Sequence, residues 1–153
     1  MQLETRANRY APRGFTLLEV LVALVVLSIG LLGLSGMQTT GLRSNHSAFL
    51  RSQATVVTND ILDRMRANRD SAVAGDYDIN YGATPSHITC TGTCSKTQVA
   101  QMDVELWNAY IERLPGGEGE VSVTAGGLAE VKVRWADARD VSNKLEVVTR
   151  AQL

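Results

Sequence analysis

Hydrophobic residues dominate one continuous stretch near the start of this 153-residue chain, at positions 15–37, where 16 of the 23 residues are apolar. No charged residue occurs from position 20 to position 42. At about 1.5 Å per residue, a helix over this stretch is roughly 34 Å long, which is enough to cross a bilayer core of about 30 Å. The pattern therefore predicts a membrane-length helix that is hydrophobic on all sides.

Helical periodicity continues beyond this stretch, but on one side of the helix only. Apolar residues recur every three or four positions and form one stripe, namely Leu50, Ala54, Val57, Ile61 and Met65. No proline occurs between Arg13 and Pro85, so the sequence predicts a single helix from position 15 to about position 68. Its second half, residues 38–68, is amphipathic and is expected to pack its stripe on a globular head.

Residues 69–153 are predicted to form this head. After a loop of about 25 residues, a second helix is predicted from Ser95 or Thr97 to Leu114, with its apolar stripe at Val99, Met102, Leu106, Tyr110 and Leu114. The period of the apolar positions then changes from 3.6 to 2, which is typical of strands. Strands are predicted at residues 121–125, 131–135 and 145–150, with turns at residues 126–127 and 137–143.

The predicted fold class is therefore α+β. A long N-terminal helix, membrane-spanning in its first half and amphipathic in its second, is expected to pack on a small antiparallel sheet.

Charge adds an orientation to this picture. The chain as a whole has 15 basic and 16 acidic residues, which excludes a general electrostatic attraction to nucleic acid. Residues 1–14, however, carry three arginines and one glutamate. Positive charge before an apolar span stays on the cytoplasmic side, so the head is predicted to be exported. A cleaved secretory signal peptide would have a shorter apolar region followed by a small-residue cleavage site, and neither is found here.

One acidic residue, Glu19, lies inside the apolar run. A carboxylate at the centre of a membrane helix costs about 2.5–3.5 kcal/mol, and less near the interface. Either its side chain reaches the lipid headgroups, or it has a cationic partner. Arg13 is six residues back and on the wrong side of Gly14, so the chain offers no good partner of its own.

Residues 13–20, with the sequence RGFTLLEV, resemble the class III signal of type IV prepilins. That signal is a basic leader ending in glycine, followed by phenylalanine and an apolar helix with glutamate as its fifth residue. The resemblance implies that prepilin peptidase removes residues 1–14 by cutting between Gly14 and Phe15, and that the new Phe15 amine is methylated. It also implies that Glu19 is neutralised by the amine of a neighbouring subunit during filament assembly.

Three further motifs resemble the minor pilin family PilV, the type IV pilus modification protein. They are RMRAN at residues 64–68, QMD at residues 101–103 before Trp107, and LPGGEG at residues 114–119. The resemblance implies a subunit that starts pilus assembly, with other minor pilins and the major pilin, on an inner-membrane assembly platform. It implies a role in adhesion and twitching motility, with the filament tip as one location. A pseudopilin of a type II secretion system is the alternative, since it shares the leader, the helix and the Glu19 carboxylate.

The expected location follows from the leader and the resemblance together. Before assembly the chain would span the bacterial inner membrane once, in contact with lipid, with its N-terminus in the cytoplasm and its head in the periplasm. Afterwards it would be part of the filament.

Cys90 and Cys94 are the only cysteines of the chain. Export places them in an oxidising compartment, where a disulfide is the default state, and three intervening residues with a central glycine allow the chain to fold back. A zinc site would need four ligands, and the two histidines stand in unrelated segments. A local structural disulfide is therefore predicted.

No metal, cofactor or catalytic site is predicted. Asp76, Asp78 and Asn80 have the spacing of the first ligands of a calcium loop, but Tyr81 and His87 stand where an EF-hand needs glycine and glutamate, so a solvated turn is favoured. An anchored periplasmic enzyme is disfavoured because paired carboxylates and phosphate-binding loops are missing from the sequence. Nucleic acid is not a predicted partner, because the arginines at positions 64, 66 and 69 are balanced by aspartates at 60, 63 and 70.

Overall fold

The computed structural model describes residues 14–137 and 140–153, so residues 1–13 of the predicted leader and residues 138–139 of a predicted turn lie outside it. Its elements are α1 (Leu17–Ala67), α2 (Arg69–Val73), α3 (Lys96–Ile111), β1 (Glu118–Val123), β2 (Leu128–Asp137) and β3 (Asp140–Gln152). The predicted α+β fold class, a long apolar N-terminal helix with a small antiparallel sheet, is confirmed. The chain forms two compact units, which divide between Gly41 and Leu42.

The second half of α1 buries one face, as its periodicity predicts. The buried residues of this face are Leu50, Ala54, Thr58, Ile61, Leu62 and Met65. Thr58 is the one polar member, and its hydroxyl donates to the carbonyl oxygen of Ala54 at 2.8 Å, so its burial leaves no unpaired group. The helix ends at Ala67, and the short helix α2 follows after Asn68 where a loop was predicted.

Helix α3 begins where the sequence predicts, but it buries a different face. Ser95 caps it through a capping box with Gln98. The residues that face the core are Ala100, Val104, Trp107 and Ile111. The predicted stripe of Val99, Met102, Leu106 and Tyr110 is wrong as a core face, because each of these side chains is 37–43% exposed. Leu114 is buried but lies beyond the end of the helix.

Trp107 explains why this face of α3 is buried and the predicted one is not. Its side chain is fully buried, and its indole N–H donates to the carbonyl oxygen of Val57 on α1 at 3.0 Å. A tryptophan buries more apolar area than any single residue of the exposed stripe, so the face that carries it gains most from facing the core.

The sheet has the strand order β1-β2-β3, and both pairings are antiparallel. All three predicted strands are present. β2 and β3 extend beyond the predicted residues at both ends, whereas β1 begins three residues earlier and ends two residues earlier than predicted. The predicted turn at residues 137–143 is wrong in its second part, because β3 begins at Asp140. Polar residues favour a turn there, but they are equally compatible with a strand at the edge of an antiparallel sheet.

One face of the sheet joins the core through Val121, Val131, Val133 and Trp135. The opposite face carries ion pairs. Three of them join neighbouring strands, namely Lys132 with Glu120, Arg134 with Glu118, and Arg150 with Glu130. Lys132 also pairs with Glu130 on its own strand, and Lys144 on β3 reaches Glu118 on β1. Cross-strand pairs of opposite charge favour this register, because a shift by one residue would bring charges into the core.

Candidate functional site

Thr16 sets the start of α1. Its hydroxyl oxygen accepts the backbone N–H of Glu19 at 3.2 Å, and its carbonyl oxygen accepts the N–H groups of Glu19 at 3.1 Å and Val20 at 3.3 Å. Thr16 is therefore an N-cap, and it satisfies a donor that water could not reach in a membrane. Sequence reasoning missed this role, although the T-x-x-E spacing of Thr16 and Glu19 is that of a capping box.

Gly14 and Phe15 precede the helix, in backbone that is neither helix nor strand. Both residues are exposed, and beyond the adjoining residues no atom of the described part of the chain lies within 4 Å of the position that a Cβ atom on Gly14 would occupy. The peptide bond between them is thus accessible and free of helical hydrogen bonding, as a substrate bond of a peptidase must be.

Glu19 lies in the first turn of α1, where a negative charge is stabilised by the N-terminal end of the helix dipole. Within residues 14–137 and 140–153, no cationic group lies within the 4.0 Å of an ion pair with its carboxylate. The part of the chain that the structure describes therefore provides Glu19 with a dipole but with no counter-charge.

The apolar run after Glu19 is exposed along its whole length. It lies in α1, which among the described residues is the one helix long and apolar enough to cross a membrane, by length and composition. The mean hydropathy of its most apolar window is 2.7. The Ser28 hydroxyl donates to the carbonyl oxygen of Leu24 at 2.7 Å, and the hydroxyls of Thr39 and Thr40 bond the preceding turn in the same way. These internal bonds leave few polar groups that would resist burial in hydrocarbon.

The head contains the predicted disulfide between Cys90 and Cys94, whose Cα atoms are 5.8 Å apart. It closes a small loop that ends directly before Ser95, the N-cap of α3. The disulfide therefore restrains the approach of the chain to the capping box.

Asp76 and Asp78 have structural roles in the head. The Asp76 carboxylate accepts the hydroxyl groups of Ser71 and Thr97, and the Asp78 carboxylate accepts the backbone N–H of Val123 at 2.9 Å. Each acid thus connects the loop after α2 to a different element. Among the described residues, no group of three or more His, Cys, Asp or Glu side chains is placed to hold a metal ion.

The motifs at residues 64–68 and 101–103 are in contact in the folded head. Arg64 on α1 pairs with Asp103 on α3 at 2.9 Å and with Asp60 at 2.8 Å. Tyr77, which is fully buried, donates its hydroxyl to the other Asp103 oxygen at 2.8 Å, and burial raises the pKa of Tyr77. Arg64 therefore joins α1 to α3, whereas Arg66 pairs with Asp63 on the exposed surface of its own helix.

Asp78 and Glu118 are expected to influence stability in opposite directions. Partial desolvation raises the pKa of Asp78, whereas Lys144 and Arg134 lower the pKa of Glu118. A raised carboxyl pKa means that ionisation opposes folding above that pKa, and a lowered one means that ionisation favours folding above the unfolded-state value near 4. Asp78→Asn should therefore stabilise the head at about pH 7, and Glu118→Gln should destabilise it.

The Asp78 difference should vanish at about pH 3, where its carboxyl, with its raised pKa, is protonated in both states. The Glu118 difference should shrink as the pH falls from about 4 through the lowered pKa of Glu118. Urea unfolding of the full chain in detergent at the two pH values measures this. Equal effects of either substitution at both pH values would show that the charges are not responsible.

Two segments of the chain match family models. Residues 10–35 match the model described as the prokaryotic N-terminal methylation motif. Residues 36–105 match the model described as type IV pilin Tt1218. The search of curated proteins and the search of solved structures each gave no match. The two adjoining models meet within α1, and the second extends into α3.

Proposed function

We propose that this chain, a type IV pilin by the two family models it matches, is a minor pilin that joins other minor pilins in starting pilus assembly. In this proposal prepilin peptidase cuts between Gly14 and Phe15, and the new amine of Phe15 is methylated. Before assembly the subunit spans the inner membrane with its head in the periplasm. The role is structural, and it supports adhesion and twitching motility. The observation that carries the proposal is the capped, exposed apolar helix with an acid in its first turn, Glu19, that has no ion-pair partner among residues 14–137 and 140–153.

The charge of Glu19 explains why assembly would be selective. An ionised carboxylate in hydrocarbon is costly, and the cost falls when a cation lies beside it. In the processed chain the terminal amine of Phe15 is four residues from Glu19, at the same end of the helix. The amine of a neighbouring subunit can therefore reach the Glu19 level only when the two helices lie nearly in register.

The proposal also assigns a separate role to each of three segments of the chain. Residues 15–37 would lie in the membrane and later in the filament core, residues 38–68 would connect this segment to the head, and residues 69–153 would form the head. The resemblance of the motifs at residues 64–68, 101–103 and 114–119 to PilV supports a minor rather than a major pilin.

Deletion of the gene tests the proposed role. We expect surface pili and twitching motility to be lost or strongly reduced, and sheared wild-type filaments to contain the chain in far fewer copies than the major pilin. Protein secretion should continue. Intact pili together with blocked secretion of folded proteins would instead support the pseudopilin of a type II secretion system.

Processing is tested with Gly14→Leu, which places a bulky side chain next to the bond to be cut. We expect unprocessed, membrane-bound precursor that retains residues 1–14, as measured by mass and N-terminal sequencing. Gly41→Leu is the matched control, because no other atom lies within 4 Å of its Cβ position either, and it should be processed normally. An N-terminus at Phe15 in the Gly14→Leu protein would contradict the assigned cleavage site.

A further inference from the structure

Charge is distributed unevenly along α1. From position 20 to position 59 the sequence contains no aspartate or glutamate, and its only arginines or lysines are Arg43 and Arg51. Both arginines are exposed, and neither is in an ion pair with any residue of the ranges 14–137 and 140–153. Their guanidinium groups are therefore available to an anion that the described part of the chain does not supply.

Arg43 stands close to the end of the membrane-length segment that is nearer the head. It follows Met37, the last residue of the apolar run, by six residues, which is about 9 Å of helix. A bilayer of about 40–45 Å with a core of about 30 Å has a headgroup layer of about 5–8 Å on each side. Residues 38–42 carry no charge, and the hydroxyls of Thr39 and Thr40 already donate to carbonyl oxygens of the helix. Arg43 is thus the first charged residue beyond the hydrocarbon.

The direction of the helix decides where this side chain reaches. In an α-helix the Cα–Cβ bonds tilt toward the N-terminus, so a long side chain leans back over the preceding turn. For Arg43 the preceding turn is the one nearer the membrane, and the flexible stem lets the guanidinium return to the level of the headgroups. Arg51 leans in the same direction, but it follows Met37 by 14 residues, about 21 Å of helix, and stays in water.

A lipid phosphate is the anion that this level of a bilayer provides. The guanidinium is a planar fork of N–H donors that matches two phosphate oxygens at once. A carboxylate beside Arg43 would compete for this fork and would repel the phosphate. The nearest acids of α1 are Asp60, 17 residues further on, and Glu19, 24 residues back, so neither competes.

We propose that Arg43 binds the phosphate group of a phospholipid in the leaflet that faces the head. This inference rests on the proposed function, because it requires that residues 15–37 span the membrane with the head in the periplasm. It adds a point of attachment that limits how far α1 moves along the membrane normal. The attachment has to be broken when the subunit leaves the bilayer for a filament.

Photo-crosslinking to labelled lipid tests the inference. The full-length chain is placed in vesicles of phosphatidylcholine and phosphatidylglycerol, three to one, in which some of the phosphatidylglycerol carries a diazirine on its headgroup. We expect adducts in the helical turn that contains Arg43 and not in the turn that contains Arg51. Arg43→Gln should lower the yield in its turn by about fivefold, which corresponds to the roughly 1 kcal/mol of one arginine at an anionic membrane surface.

Two variants show whether the charge of Arg43 is responsible. Arg43→Lys keeps a cation at the same place and should retain at least about half of the yield. Arg51→Gln is the matched control, because Arg51 is also exposed and unpaired in the described structure, and it should change the yield in the turn of Arg43 by less than about twofold. An unchanged yield in Arg43→Gln, or a loss in Arg43→Lys or Arg51→Gln as large as that in Arg43→Gln, would overturn the proposal.

A second labelled lipid separates this inference from the proposed function. With the diazirine in the acyl chain, adducts should map to residues 20–37 in the wild type and in Arg43→Gln alike, because the substitution leaves the apolar run unchanged. If these adducts form while the headgroup adducts do not depend on Arg43, the chain is inserted as proposed and Arg43 is not its phosphate contact. If acyl-chain adducts are absent from residues 20–37, the proposed membrane position and the phosphate contact fail together.

Discussion

Glu19→Ala is expected to insert into the membrane and fold its head normally, and to be recovered with other pilins and in sheared filaments at less than about a tenth of the wild-type level. The substitution leaves the cap of α1 intact, because the Thr16 hydroxyl accepts the backbone N–H of residue 19 and not its side chain. What it removes is the carboxylate that we propose as the counter-charge for a neighbouring amine. Removing one partner of a buried ion pair costs about 3–5 kcal/mol, and each 1.4 kcal/mol is a factor of about ten.

Two further variants make the test specific to the charge. Glu19→Gln preserves the shape of the side chain and should fail to assemble as well. Ser28→Ala, in the same exposed helix, should assemble normally, because the Ser28 hydroxyl already bonds the Leu24 carbonyl within its own chain. Pull-down with epitope-tagged minor pilins and counts of surface pili measure the result. Normal assembly of both Glu19 variants would mean that the carboxylate only reaches the headgroups.

Gly117→Ala should unfold or severely destabilise the head. A Cβ atom at residue 117 would lie 2.1 Å from the carbonyl oxygen of Ile111, at the end of α3, and 3.1 Å from Ile111 Cγ2. The obstacle is backbone that ends a helix, so it cannot rotate away, and the Gly117 N–H also bonds the Leu114 carbonyl at 3.0 Å. We expect a loss of about 3 kcal/mol or more.

Two other glycines calibrate this prediction. At Gly119 a Cβ atom would meet the tips of the Trp107 and Ile111 side chains at 2.5 Å, and since side chains can shift, the loss should be smaller than at Gly117. At Gly126 the nearest atom is 3.8 Å away, so Gly126→Ala should change stability by less than about 0.5 kcal/mol. Urea unfolding of the full chain in detergent, followed by tryptophan fluorescence, measures all three. Equal midpoints for Gly117→Ala and Gly126→Ala would contradict the steric argument.

The periodicity of apolar residues was sufficient to predict the buried face of α1 and the strands of the sheet. The stripe from Leu50 to Met65 was predictable because it contains most of the apolar residues of that part of α1, whereas Phe49 and Val56 are exposed on another face. The alternation from Val131 to Trp135 was predictable for the same reason, since Lys132 and Arg134 can only face outward. In both cases the sequence offers one dominant apolar face.

Helix α3 was not predictable in this way, because it offers two. Both candidate faces are apolar at helical spacing, and the choice depends on Trp107 fitting against Gly119 on β1 and donating to Val57 on α1. These partners are distant in sequence, so no window of residues around α3 contains the information. The same holds for Asp103, whose pairing with Arg64 and Tyr77 appears only when three segments are folded together.

The position of the Thr16 cap has a consequence for proteolysis that is independent of recognition by side chains. Proteases bind the bond that they cut in extended backbone, and a helix must unwind before it can be cut. Thr16 is the N-cap of α1 and lies two residues after Gly14. The bond between Gly14 and Phe15 therefore lies outside the helix, and a protease can reach it without local unfolding of α1. If the proposed cleavage takes place at this bond, a substitution that lengthens α1 toward its N-terminus should slow it even with Gly14, Phe15 and Glu19 unchanged.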